Sequence, residues 1–233
     1  MDAVPAPRYI NLMRIIPISI VGAFALLAFT SSAQQDVARP PAAPRSVEGE
    51  VVYLEGSVQI DGREAEIGQK LSSIVTVVTG PAASCEFTFA DKNVVRVAQN
   101  ARATIDFSKA VVDIDLETGG VSSVLRKLHT VAGSDSFRIR TQGAVAGVRG
   151  TSFCVWADDA SSYVCACNGT VHTEDARGGN ALTTSAAHHA AHFYRKTAEG
   201  FTVEKAGVLF HTDEGLESLA ARIGEKIDWN VID

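Results

Sequence analysis

Aromatic residues are sparse in this 233-residue chain, at 7%, and Met and Trp occur twice each. There is no cluster of Lys and Arg, and the formal net charge is −6. A nucleic-acid-binding domain needs a basic face, so nucleic acid is excluded as an expected partner. The sequence contains no G-x-S-x-G, H-E-x-x-H or P-loop motif. Serine hydrolase, zinc protease and nucleotide chemistries therefore lack their signatures, and no enzymatic activity is expected. One long apolar run exists, IIPISIVGAFALLAF from Ile15 to Phe29, shorter than the ~20 residues of a spanning helix. No cysteine closes that run, which argues against a lipid-anchored N-terminus.

The start of the chain reads as an export signal. Arg8 and Arg14 precede the apolar run, and the small residues Ser31 and Ala33 follow it, the layout of a secretory signal. Residues 1–33 are expected to be a signal peptide or, if retained, an N-terminal anchor whose transmembrane helix keeps the arginines inside. The expected location is exported and periplasmic, with anchoring to the inner membrane as the alternative. Residues 34–46, QQDVARPPAAPRS, form a Pro/Ala-rich tether.

From Val47 onward, short runs of alternating hydrophobicity are broken by turn residues such as Asp61-Gly62, Asp91-Lys92-Asn93 and Gly119-Gly120, the rhythm of an all-β domain. VSSVLRKLH, from Val121, fits helical spacing but carries β-branched residues. Strands are expected in ALTTSA, AHFYRK and FTVEKAGVLF. Thr212-Asp213-Glu214 should cap a short helix with Leu216, Leu219, Ala220 and Ile223 on one face.

Three segments together resemble the FecR domain of bacterial envelope proteins: Glu48 to Ile105, the run IDLETGGV from Ile114 to Val121, and SFRIRTQGAVAGVRGTSF from Ser136 to Phe153. The last is the most specific, because Thr141, Ala144, Ala146, Arg149, Gly150 and Thr151 match the family's T-x-x-A-x-A-x-x-R-G-T element. The resemblance implies an all-β fold, a short-stranded roll or β-sandwich-like stack, over residues 47–153. A β-rich extension bearing Cys and His would follow at 154–210, and a helix and tail at 211–233. The best-known members of this family relay signals from an outer-membrane receptor to a cytoplasmic sigma factor. That role needs a cytoplasmic module, and only the residues before Ile15 could supply it here, so only fold and envelope location are carried over. Read from the residues alone, AVAGVRGT is a glycine-permitted turn in which Arg149 can donate up to about five hydrogen bonds. An anion or partner site is the alternative reading.

Cys154 lies in SFCVWA, and Cys165 and Cys167 in YVCACNG. Residues i and i+2 of a strand share a face, so Cys165 and Cys167 point the same way. If the two segments form a hairpin, Cys154 pairs with one of them. Three readings stay open. A disulfide from Cys154 to Cys165 or Cys167 suits an oxidising compartment. A Cys165–Cys167 disulfide does not suit an extended strand. Zinc or haem ligation would draw on the three thiols plus His188, His189 or His192, although the C-x-x-C-H haem motif is absent. Three buried thiols acting as small hydrophobes complete the set. Cys85 reads as core or a remote disulfide partner, and His211, alone at the edge of an element, as a satisfied surface or core histidine. Asn168-Gly169-Thr170 reads as a tight turn or bulge. The expected function is a non-catalytic binding, scaffolding or sensing module contacting an envelope protein or ligand. The alternative is a metal- or haem-binding redox module.

Overall fold

A computed structural model describes residues 47–109, 111–126 and 137–233. The signal, anchor and tether expected at the N-terminus lie outside the described residues. No described helix is long and apolar enough to cross a membrane.

The described residues form one hydrogen-bonded sheet and one helix. The first strands are β1 (Gly49–Glu55), β2 (Val58–Ile60), β3 (Arg63–Glu64), β4 (Lys70–Leu71) and β5 (Ile74–Thr79). Then come β6 (Ser84–Phe89), β7 (Asn93–Val97), β8 (Arg102–Asp106), β9 (Val112–Leu125) and β10 (Phe137–Arg140). The last are β11 (Ala144–Ala157), β12 (Ser161–Asp175), β13 (Leu182–Ala186), β14 (Ala190–Lys196) and β15 (Phe201–Ala206), before helix α1 (Asp213–Ala221). The turn at Asp61-Gly62 joins β2 to β3 with both residues at positive φ, 51° and 75°, as a type I′ hairpin turn requires.

Three long strands hold the sheet together by changing partners partway. β9 pairs first with β8 and, in parallel, with β10, then with β7 and β11. β11 pairs first with β10, then with β9. β12 pairs first with β14, then with β13. Two of the three, β9 and β12, turn to their new partners beside a glycine. At Gly119, φ is +85°, and an added Cβ would lie 2.5 Å from Ala101. At Gly169, φ is +121°, and a Cβ would meet the Thr151 hydroxyl at 2.5 Å. No other residue suits either place without displacing backbone. The bends let the sheet curl over itself with barrel-like closure. This agrees with the all-β roll with a short C-terminal helix expected from the sequence.

The R-G-T element forms the bulge of β11. The register with β12 slips between Val148 and Thr151, and Thr151, fully buried, restores the connection. Its hydroxyl donates to the Thr170 carbonyl at 3.0 Å and accepts from the Thr170 amide at 3.0 Å. The Arg149 side chain lies outside what the structure describes.

The inner face is an aliphatic and phenylalanine core. Phe137 stacks on Phe89 at 5.8 Å and meets Phe153 edge-on at 6.0 Å. The outer face of β7, β9, β11, β12 and β14 is a second core of Val94, Val124, Cys154, Tyr163, Cys165, Cys167 and Ala191, covered by Leu216, Leu219, Ala220 and Ile227. β12 is therefore buried on both faces along Ser161–Gly169, unlike a strand with one wet side.

Two sequence expectations change. The ambiguous segment at Val121 is strand through Leu125, because Val121 and its neighbours pair with both β7 and β11. The strand expected over FTVEKAGVLF ends at Ala206. The Tyr163 hydroxyl donates to the Gly207 carbonyl and accepts from the Leu209 amide, both at 3.1 Å. Phe210 then turns through φ +62°. The chain is folded back over the outer face and enters α1, whose N-cap Thr212 accepts from the Gly215 amide at 3.1 Å. Glu86, fully buried, ties the helix to the sheet by pairing with Arg96 of β7 and with Arg222 at the helix C-terminus, both at 2.7 Å.

Candidate functional site

The site is built at the bulge of β12. Cys154 lies directly opposite Cys165 across the β11–β12 pair. The register then slips, with Phe153 facing Ala166 and Ser152 facing Asn168, which leaves Cys167 as the extra residue. A bulge re-aims side chains. Here both Cys167 and Asn168 serve the outer face: the Asn168 Nδ2 lies 2.9 Å from the Ala187 carbonyl, 3.0 Å from Asp228's and 2.8 Å from Val231's. That amide pins the C-terminal tail beside the thiols.

All four cysteines are free, so the expected disulfide is not formed. The Cys154 and Cys167 sulfurs are 3.8 Å apart, against ~2.05 Å for a bond. Directly opposite residues such as Cys154 and Cys165 hold their Cβ atoms at ~4.5–5.5 Å, wide of the ~3.8 Å a disulfide favours.

Two histidines complete the cluster. His189 sits in the β13–β14 connection at φ +49°, its amide donating to the Cys167 carbonyl at 3.0 Å. His211 follows the left-handed Phe210. Left-handed non-glycine residues cost about 1 kcal/mol or more each, so the chain accepts strain on both sides of the site. Cys165 Sγ lies 3.6 Å from His189 Nδ1, Cys167 Sγ 3.4 Å from His211 Nε2, and the two ring nitrogens 3.3 Å from each other. The donor atoms of Cys165, Cys167, His189 and His211 all fall within 4.8 Å of one another.

The protons can be placed from the partners. His211 Nδ1 is 2.6 Å from the Leu209 carbonyl, which can only accept. His189 Nε2 is 2.6 Å from Asp213 Oδ1, and Asp213 is held ionised, its pKa lowered chiefly by that bond and further by His188. Each ring thus donates from its outward nitrogen and turns its other nitrogen inward. Metal-binding histidines are oriented in this way, by a carbonyl or carboxylate behind the ring. Two inward lone pairs 3.3 Å apart repel unless a proton or a cation lies between them.

The local electrostatics favour a thiolate. Cys165 is drawn down to about 3, foremost by its hydrogen bond with Cys167, with His189 and His211 outweighing burial. Burial raises Cys154, but hydrogen bonds from Cys167 and His211 bring it to about 6. Cys167 moves far up, through burial and then through the neighbouring sulfurs. Burial would lower His211, yet contact with Cys154 and Cys165 lifts it to about 10. Negative charge is therefore shared among the sulfurs and balanced on imidazole.

Not every candidate from the sequence reaches the site. Cys154, Cys165, Cys167 and His189 come together. His188 stands behind them, its Nε2 2.8 Å from Asp213 Oδ2, with its ring against Trp229. His192 pairs across to Val164 and Lys205, and strand alternation turns it away from Ala191 and Phe193 of the outer core. Sequence reasoning left His211 as a satisfied surface or core histidine and Asp213 as part of a helix cap, and placed neither in the site. The helix prediction was the available signal: an amphipathic helix capped at Thr212 must dock on some apolar face, and its first residues dock with it.

Cys165, His189 and Asp213 have the sequence of contacts of a Cys–His–Asp triad. However, Cys165 is fully buried, and a nucleophile needs access to its substrate. A metal ion fits better. Tetrahedral Zn²⁺, with Zn–S ~2.3 Å and Zn–N ~2.0 Å, gives S···N edges of ~3.5 Å and N···N edges of ~3.3 Å. The Cys165–His189, Cys167–His211 and His189–His211 spacings of 3.6, 3.4 and 3.3 Å match these edges, and all four donors lie within 4.8 Å of one another. Donors converging this closely leave no flat gap for a porphyrin.

The fold and the site define a curled all-β domain with a thiol–imidazole cluster on its outer face. The FecR protein family model matches residues 75–172, consistent with a FecR-domain protein. The match takes in Cys154, Cys165 and Cys167 but ends before His189 and His211. A search of curated proteins finds no match to the chain.

Proposed function

We propose that this chain is an exported FecR-domain module of the cell envelope, non-catalytic, that senses or scaffolds an envelope partner and holds one zinc ion. The FecR match supports a regulatory module at the envelope, and Arg8, Arg14 and the apolar run after them support export through residues 1–33. Cys165, Cys167, His189 and His211 would hold the ion. Asp213 and the Leu209 carbonyl would orient the two rings. The observation that carries the reading is the pair of imidazole nitrogens turned inward, 3.3 Å apart, each fixed by an acceptor behind it. Bound there, zinc would supply a closed, four-coordinate crosslink between β12, the β13–β14 connection and the segment entering α1.

Metal analysis of protein purified without chelator tests the proposal. One zinc per chain is expected, and a Cys165→Ser/Cys167→Ser double variant should retain none. A wild-type protein that takes up no zinc when it is supplied, or a double variant that binds it equally, contradicts the reading.

A further inference from the structure

The cluster contains one sulfur more than a four-coordinate ion needs. Cys165, Cys167, His189 and His211 make the quartet, and Cys154 stands beside it. The Cys154 thiol donates to the Ser122 hydroxyl at 3.3 Å, which gives its proton a partner outside the quartet. Its sulfur is 3.8 Å from that of Cys167. Cys154 keeps 4% exposure, whereas Cys165 and Cys167 have none. An ion held by the quartet leaves Cys154 as the one thiol of the cluster not engaged in coordination, and so the one a small oxidant can take.

Resting on the zinc reading above, we propose that Cys154 is an oxidation trigger that releases the metal. The oxidant is a peroxide. In the first step the Cys154 thiol takes one oxygen from hydrogen peroxide, giving a sulfenic acid and one water. In the second, Cys167, which coordination to the ion would hold as a thiolate, attacks the Cys154 sulfur, the S–S bond forms, and hydroxide leaves with the former sulfenic oxygen. Two sulfurs are each oxidised by one electron, and one peroxide is reduced to water and hydroxide. Cys167 is then no longer a donor, and Cys165, His189 and His211 remain as an incomplete set.

The fold suits this pairing better than the alternative. Cys165 is locked directly opposite Cys154 in the ladder, the geometry that is tight for a disulfide. Cys167 is the bulge residue, with no residue opposite it. It can shift toward Cys154 without breaking a register pair, closing the gap to the ~2.05 Å of a bond. Asn168, the next residue, holds the carbonyls of Asp228 and Val231, so movement of Cys167 is transmitted directly to the C-terminal tail.

The test uses the zinc-loaded full chain, hydrogen peroxide and a chromogenic zinc chelator. Peroxide should release one zinc as two thiols disappear, and a thiol reductant should restore binding. Cleavage after Trp156 and Tyr163 should yield the Cys154 peptide linked to the peptide carrying Cys165 and Cys167. A Cys154→Ser variant should bind zinc and release it at least about tenfold more slowly, because the trigger thiol is missing. Zinc that loads but stays bound in peroxide, a linkage that omits Cys154, or equal release from the variant overturns this inference and leaves the metal reading intact. Loss of zinc binding in Cys154→Ser makes Cys154 a ligand and also overturns it. A wild-type chain that never takes up zinc overturns the metal reading, and this inference with it. The linkage is mapped on the wild type, so the test holds even if the variant does not fold.

Discussion

β11 and β12 each serve two cores. Inward they send Phe153, Val155, Val164 and Ala166 into a phenylalanine-rich interior. Outward they send Cys154, Tyr163, Cys165 and Cys167 under the C-terminal helix. The two faces are about equally dry, so burial does not distinguish them. Their partners do. Cys85, in the inner core, is as buried as Cys165, and burial, then the charge of Glu86, pushes its thiol up to about 12. Cys165 is drawn to about 3 because Cys167 and two imidazoles face it. Burial alone yields an inert thiol; burial beside convergent donors yields a site.

The comparison can be broken most forcefully from the inside. Phe137 is fully buried between Phe89 and Phe153, and Phe137→Ala should destabilise the fold by about 3–5 kcal/mol. In chemical denaturation the loss should be the same with zinc or with chelator, since the Phe137 ring packs on Phe89 and Phe153, on the face opposite the cluster. A loss that depends on metal would join the two cores into one.

Asp213→Asn sharpens the outer side with a smaller effect. It keeps the Thr212 cap and the helix but removes the charge that orients His189. Zinc affinity should fall about 10- to 100-fold, the usual cost of losing the group behind a metal-bound histidine. The melting temperature in chelator should barely change. Unchanged affinity in a zinc competition titration would leave Asp213 a helix-start residue and nothing more.

The inner core was the more legible of the two in the sequence. Alternation in SCEFTFA and SFRIRTQ, the Asp61-Gly62 turn and the R-G-T element are local signals, and local chemistry enforces them: a pleat has period two, and a type I′ turn needs positive φ. Alternation also placed Cys165 and Cys167 on one face and Cys154 on the strand opposite. The rest of the site depends on long-range closure. Nothing in KAGVLFHTDEG says that the Tyr163 hydroxyl will fold the chain back so that His211, 44 residues beyond Cys167, meets it. His188, His189 and His192 look equivalent in HHAAH, yet one ring faces sulfur, one flanks Asp213 and one lies on the other face of β14. A left-handed residue at His189 decides that division, and no single-sequence pattern announces it. The free state of the thiols was not legible for a related reason, because the bulge that sets Cys167 apart from the ladder, 3.8 Å from Cys154, appears only when both strands are paired.

X-ray absorption at the zinc edge of the loaded, reduced protein is the most direct test of the central claim. The account predicts two sulfurs at ~2.3 Å and two imidazole nitrogens at ~2.0 Å, and no bound zinc to give an edge signal in Cys165→Ser/Cys167→Ser. A shell of oxygen and nitrogen alone in the wild-type protein would contradict it.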